Sequence, residues 1–237
     1  MRQNGTVTAI ILAAITITCS AADSVPQTSS ASTGAEAGMV DIQSLAPDFA
    51  VDMRYAGTSN FTGTVITGYE APRCYLLKPV AEALQRVELA LRKQRQRLKV
   101  FDCYRPVRAV QHFVRWAHDL DDQSTKPRHY PNLDKGVLLG EYIASTSGHS
   151  RGATMDLTLM QCDRAGRECK PLDMGTDFDF FDVRANTDAP GITSAQRRNR
   201  QRLRSAMEGE GFQNYAQEWW HYTLKPEPNV AFDFTVR

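Results

Sequence analysis

The sequence predicts an α+β fold in which helices pack on a largely antiparallel central sheet, within one domain spanning residues 39–237. Three observations lead there. Apolar residues recur at helical spacing in separate stretches, residues 152–160 alternate apolar with polar, and the two patterns do not follow one another in regular alternation. A chain of 237 residues, less a leader, has the length of a single domain with one sizeable core. Its 42% hydrophobic and 23% charged residues exclude collagen-like, coiled-coil and wholly disordered classes. A formal net charge of +1 gives no reason to expect nucleic acid or another polyanion as partner.

Residues 1–22 have the order of a secretory signal peptide: Arg2, an apolar stretch over 7–18, then the small residues Ser20, Ala21 and Ala22. The apolar stretch is short for a bilayer span, and no stop-transfer pattern follows it. The mature chain is therefore expected to be exported, periplasmic or extracellular, with no transmembrane segment. Cys19 stands where an acylated lipoprotein cysteine would, but Thr16-Ile17-Thr18 lacks the Leu and small residues of such a site, so lipid anchoring is the lesser reading. Residues 23–38, rich in Ser, Thr, Ala and Gly, are expected to be a flexible segment outside the fold.

From Lys78 the spacing of Val80, Leu84, Val87 and Leu91 predicts an amphipathic helix to about Arg97, with Pro79 in its first turn. Residues 98–103 read as a short strand. A second helix starts at Pro106, with Val107, Val110, Val114 and Ala117 on one face. Asp102-Cys103-Tyr104-Arg105 thus sits where a strand ends and a helix begins, a place where a rigid scaffold presents functional groups. Residues 119–147 are polar, irregular and too long for a simple connection. In 152–160, Met155, Leu157 and Leu159 point one way and Thr154, Asp156 and Thr158 the other, which predicts a strand with one apolar and one polar face. Residues 194–211 form a third helix whose arginines read as a solvated face, and the aromatic EWWHYTLKP segment reads as a final strand or bend.

Four cysteines remain after the leader, an even count in a chain bound for an oxidising compartment, so disulfides are the first reading. Cys162 and Cys169 bracket a polar segment with Gly166 in its middle, which suits a hairpin closed by a bridge. Cys74 is left with Cys103. A four-thiolate zinc site is the rival, disfavoured because no C-x-x-C pair is present.

Two segments carry the chemistry: Ser147-Gly148-His149-Ser150-Arg151-Gly152-Ala153-Thr154-Met155-Asp156 and Glu218-Trp219-Trp220-His221. Together they supply two imidazoles, one carboxylate ligand and a spare carboxylate. A catalytic zinc needs three protein ligands of these types and an open position. On a flat strand His149 and Asp156 would face opposite ways, and Gly152 permits the bend that brings both to one metal. Taken singly, each residue is more often a hydrogen-bonded or solvated side chain than a ligand.

As a whole, S-x-H-x-x-G-x-A/T-x-D followed late by E-x-x-H resembles the D-alanyl-D-alanine dipeptidases of the VanX type, part of a larger group of zinc D,D-peptidases. Further matches follow in the family's order: Val51-Asp52-Met53-Arg54-Tyr55 with Asn60-Phe61, Gly63 and Gly68-Tyr69; Asp102-Cys103-Tyr104-Arg105-Pro106; and Asp173-Met174-Gly175-Thr176 with Phe178-Asp179. The resemblance implies one zinc per chain on His149, Asp156 and His221, with Glu218 as general base and Arg105 stabilising the developing oxyanion. It also implies that Asp173 and Ser147 receive the free ammonium group of the dipeptide. The three remaining histidines outside this set, His112, His118 and His129, are expected to be dispensable. Trp219 and Trp220 would keep the site dry and rigid, or serve as plain core aromatics. One departure is Cys103, where the family's element carries a small residue; it bears on the compartment rather than the chemistry.

Two other readings compete. A zinc D,D- or L,D-carboxypeptidase acting on peptidoglycan stems would use the same metal set, and the Asp173 element favours the dipeptidase. A non-catalytic zinc-binding envelope protein would need neither Glu218 nor Arg105. Oligomeric state is not legible in the sequence.

Overall fold

The stretch beginning at Lys78 does form a helix, α2 (Lys78–Arg92), with Val80, Leu84, Val87 and Leu91 buried along one face. The computed structural model describes Met1 and residues 27–237, so the expected signal peptide and Cys19 lie outside the described residues. Helix α2 stops sooner than predicted. Leu98 continues the apolar spacing of the helix, but Arg95 adopts a left-handed backbone (φ 58°) that turns the chain into the strand β5 (Gln96–Asp102).

The described part of the segment expected to be flexible packs on the domain instead. β1 (Gln27–Thr28) runs parallel to β10 (Val230–Ala231), and β2 (Met39–Asp41) pairs antiparallel with β4 (Tyr75–Leu77) after Ala37 is buried. Small polar side chains gave no sign of this, because the pairing is made by backbone groups. After the short helix α1 (Ile42–Leu45) comes β3 (Ala50–Val51), which joins the main sheet.

That sheet has six strands in the order β3-β5-β6-β9-β8, with β7 also paired to β6. Its further members are β6 (Thr154–Cys162), β7 (Cys169–Pro171), β8 (Phe212–Asn214) and β9 (His221–Leu224). It is mixed: β3 runs parallel to β5, and the β5–β6, β6–β7, β6–β9 and β8–β9 pairs are antiparallel. Helix α6 (Ser194–Glu208) opens with a capping box in which Thr193 and Gln196 satisfy each other's backbone N–H groups. It packs against β6, β8 and α2.

The strand β6 has the expected apolar and polar faces, and because it lies mid-sheet both are covered. Thr154, Asp156 and Thr158 are as buried as Met155, Leu157 and Leu159. The alternation separates two covered faces rather than a core face from solvent. Both disulfides are present, Cys74–Cys103 and Cys162–Cys169, the second joining directly paired residues of β6 and β7.

Helix α3 (Val107–His118) follows β5, and the long polar segment after it contains the single turns α4 (Lys126–His129) and α5 (Leu138–Glu141) before the chain returns at Ser147. The segment is anchored by Lys135. Its ammonium is buried, lies 3.8 Å over the Trp116 ring and donates to the Asp122 carbonyl at 2.7 Å. No helix among the described residues is long and apolar enough to cross a membrane.

Candidate active site

Sheet register sets the first part of the site. Asp156 is the direct partner of His221 on β9 and of Asp102 on β5, beyond an irregularity at Phe101. Three polar residues therefore stand in one row across three strands. His149 reaches them from a 3₁₀ turn (Gly148–Arg151) that Ser147 opens by accepting the His149 N–H. Gly152 ends that turn with φ 73°, a left-handed backbone that glycine adopts without a Cβ penalty, and Met39 Cε packs where a Cβ would stand.

The ligand atoms of His149, Asp156 and His221 lie within 4.8 Å of one another. His149 Nε2 is 3.3 Å from Asp156 Oδ2 and 3.3 Å from His221 Nδ1, which is itself 3.1 Å from Asp156 Oδ1. His149 Nδ1 faces the Cys103 carbonyl at 2.7 Å and must donate to it, which leaves the Nε2 lone pair free for a metal. Asp156 Oδ1 is buried and accepts no hydrogen bond from the described residues. An orphaned carboxylate oxygen beside two imidazoles fits a divalent cation of the zinc type. Against the cost of burial, the two imidazoles hold the Asp156 carboxyl well below the usual carboxylate range.

Glu218 enters from the turn before β9. Trp219 and Trp220 are each 2% exposed and pack edge to face, and Trp219 Nε1 donates to Thr176 Oγ1 at 2.8 Å. The two buried indoles anchor the turn in the core. Of the two, Trp220 also lines the cleft. Glu218 Oε2 sits 3.4 Å from His221 Nδ1, the nitrogen that faces Asp156. Burial pushes the Glu218 carboxyl up to about 7, His221 opposing and Asp156 reinforcing the shift.

Arg105 follows β5. Its Nε donates to Asp102 Oδ2 at 3.0 Å and its Nη2 is ion-paired with the same oxygen at 2.9 Å; Nη2 also lies 3.6 Å from Asp156 Oδ2, and the guanidinium stands over the Tyr55 and Phe113 rings. Asp102 is held in turn by Tyr69 Oη at 2.7 Å. Arg105, Ser147, His149, Asp156, Glu218 and His221 all line one cleft of about 280 Å³.

Residues 35–236 match the family described as Peptidase_M15, D-ala-D-ala dipeptidase. The chain belongs to this family. It is 43% identical to a D-alanyl-D-alanine dipeptidase of Enterococcus faecalis, over 78% of this chain and 91% of the relative. The corresponding enzyme of Streptomyces coelicolor is 42% identical over 78% and 91%. That of Escherichia coli is 33% identical over 78% and 84%.

Within this family framework, one assigned position falls outside the cleft. Asp173 is exposed; its Oδ1 accepts the Gly175 N–H at 2.8 Å and its Oδ2 accepts Gln196 Nε2 at 2.9 Å. It ties a loop to α6 and does not line the site. The carboxylate that does is Asp179, the last residue of the same sequence element. Asp179 is 6% exposed, has a left-handed backbone (φ 57°), and accepts Tyr55 Oη at 2.9 and 3.2 Å. Burial first, and then Asp156, push its carboxyl well above the usual range. Tyr55 and Asp179 were both visible in the motif strings; what was missing was the backbone path that turns Asp179 rather than Asp173 inward. The Cys103 carbonyl had no sequence signal, since a backbone acceptor is common to every residue.

Proposed function

We propose that this chain is an exported, zinc-dependent dipeptidase that hydrolyses free D-alanyl-D-alanine to two molecules of D-alanine. The observation that carries the reading is Asp179: a buried carboxylate in the cleft of the His149–Asp156–His221 cluster, bonded to a tyrosine hydroxyl and, among the described residues, to no cation. The ammonium group of a free dipeptide supplies the missing counter-charge. A peptide acylated at that nitrogen has no charge to offer and leaves Asp179 buried and unpaired. The role that the motif comparison gave to Asp173 passes to Asp179, and Ser147 is kept as a substrate-binding group on the cleft wall. At about 280 Å³ the cleft suits a very small peptide. The two disulfides suit an oxidising compartment.

His149, Asp156 and His221 would hold a single zinc. Bound there, zinc polarises a scissile carbonyl and lowers the pKa of water toward about 7. Glu218 takes the proton of the attacking water and delivers it to the leaving amine. A Glu that only oriented His221 would sit behind the ring at Nε2; Glu218 is instead beside Nδ1, on the ligand side. Arg105 faces the charge that develops on the former carbonyl oxygen, pre-set by Asp102. A preference for free dipeptide separates this reading from a carboxypeptidase. D-Ala-D-Ala should be cleaved with a kcat/KM at least about a hundredfold above that of N-acetyl-D-Ala-D-Ala. Comparable rates on the two substrates would refute the dipeptidase reading.

The ligand assignment has its own check. His221→Ala is expected to lose zinc, while His112→Ala and His118→Ala retain it. His112 Nδ1 is engaged by the Thr67 N–H at 3.1 Å, and His118 is exposed at the end of α3. Metal analysis of the purified variants decides this, and full zinc content in His221→Ala would overturn the assignment.

A further inference from the structure

Asp179 has a left-handed backbone (φ 57°), uncommon outside glycine although aspartate is among the side chains that tolerate it best. Its carboxylate is held by Tyr55. Its main chain is held from the other side by His129, the last residue of α4, in the long polar segment between α3 and β6. His129 Nδ1 lies 2.9 Å from the Asp179 carbonyl oxygen, and the His129 carbonyl accepts the Phe181 N–H at 2.7 Å. The two bonds bracket Phe180. A carbonyl can only accept, so Nδ1 carries the proton. His129 is 4% exposed and does not line the cleft.

We propose that His129 is a positioning residue for substrate selection: by latching the main chain on both sides of Phe180, it fixes the left-handed turn that aims Asp179 at the ammonium group of the dipeptide. The inference rests on the reading of Asp179 given above. It assigns a task to the α4 turn of the 119–147 segment, whose later part, from Gly140 to Ser147, lines the cleft. His129 was expected to be dispensable, and for the metal it remains so: its ring makes no hydrogen bond or ion pair with His149, Asp156 or His221 and it stands outside their ligand group. Burial lowers the basicity of the ring, in keeping with a neutral donor. Without the latch, the 179–180 peptide is free to rotate and carry the carboxylate with it. The cost falls on binding of the ammonium group, while the metal ligands, Glu218 and Arg105 stay in place.

The test compares His129→Leu, which removes the donor, with His129→Asn, whose amide nitrogen stands in for Nδ1. Both are made in the full chain, loaded with zinc and assayed on D-Ala-D-Ala. His129→Leu should raise KM roughly five- to tenfold, the worth of one net hydrogen bond, with kcat and zinc content close to the parent. His129→Asn should recover most of the affinity, which a general loss of packing would not allow. If His129→Leu does not fold, His129→Gln, which carries its amide past the Asp179 carbonyl, replaces it with the same expected KM. Asp179→Asn serves as the control for the underlying reading. If Asp179→Asn leaves the preference for free over N-acetylated dipeptide intact, the role of Asp179 is wrong and the inference falls with it. If Asp179→Asn abolishes the preference while His129→Leu, or His129→Gln in its place, keeps the parental KM, the inference about His129 alone is overturned.

Discussion

Glu218→Gln should hold zinc and fold normally yet lose roughly 10²- to 10⁴-fold in turnover, the contribution of a positioned proton-transfer group. The amide is nearly isosteric, and the Glu218 carboxylate lies outside the three-residue ligand set, 3.4 Å from His221 Nδ1. Substrate affinity should move far less, because the loss belongs to the transition state. Kinetics and metal content measured on the same preparation check this. A variant with full zinc and near-parental turnover would remove Glu218 from the mechanism. A variant that loses zinc in step with activity would make it a support for His221 instead.

Arg105→Lys should lower kcat by about 10²- to 10³-fold, the scale seen when one donor to a developing oxyanion is removed. Lysine keeps the charge but not the planar fork. In this protein the fork is divided: Nε and Nη2 are committed to Asp102, and no acceptor among the described residues takes Nη1. An ammonium group cannot serve Asp102 and the cleft in the same way. Because Asp102 is buried, deleting the cation altogether would also strand a carboxylate, so Arg105→Lys isolates the catalytic effect better than a neutral replacement. The expected pattern is a fall in kcat with KM little changed and the thermal midpoint close to the parent. An unchanged kcat would make Arg105 a purely structural partner of Asp102.

Much of the architecture could be read from periodicity. The Val80–Leu91 spacing located α2, and the alternation around Asp156 located β6. The glycine bend between His149 and Asp156 was readable because two ligands on opposite faces of a strand demand one. Other features failed for specific reasons. The early end of α2 depends on a single left-handed arginine, while Leu98 falls in helical phase with Leu91 and hides the boundary. Residues 27–38 look like a linker by composition, yet part of the segment pairs with β10 through backbone groups that no side chain announces. Asp173 and Asp179 share one motif, and only the fold shows which of them reaches the cleft. The second layer of the site, namely Tyr69 on Asp102, the Cys103 carbonyl on His149 and His129 on Asp179, joins residues far apart in the chain. Such pairs are set by topology, so a single sequence does not contain them in legible form.

The central claim is that one zinc at His149, Asp156 and His221 turns this cleft into a dipeptidase. Its most direct test is a metal titration of the chelator-stripped protein, with D-alanine release from D-Ala-D-Ala as the readout. Activity should be absent without metal, rise linearly with added Zn²⁺ and level off at one equivalent per chain. Turnover that persists in the stripped protein, or zinc bound at one equivalent without release of D-alanine, would contradict the account.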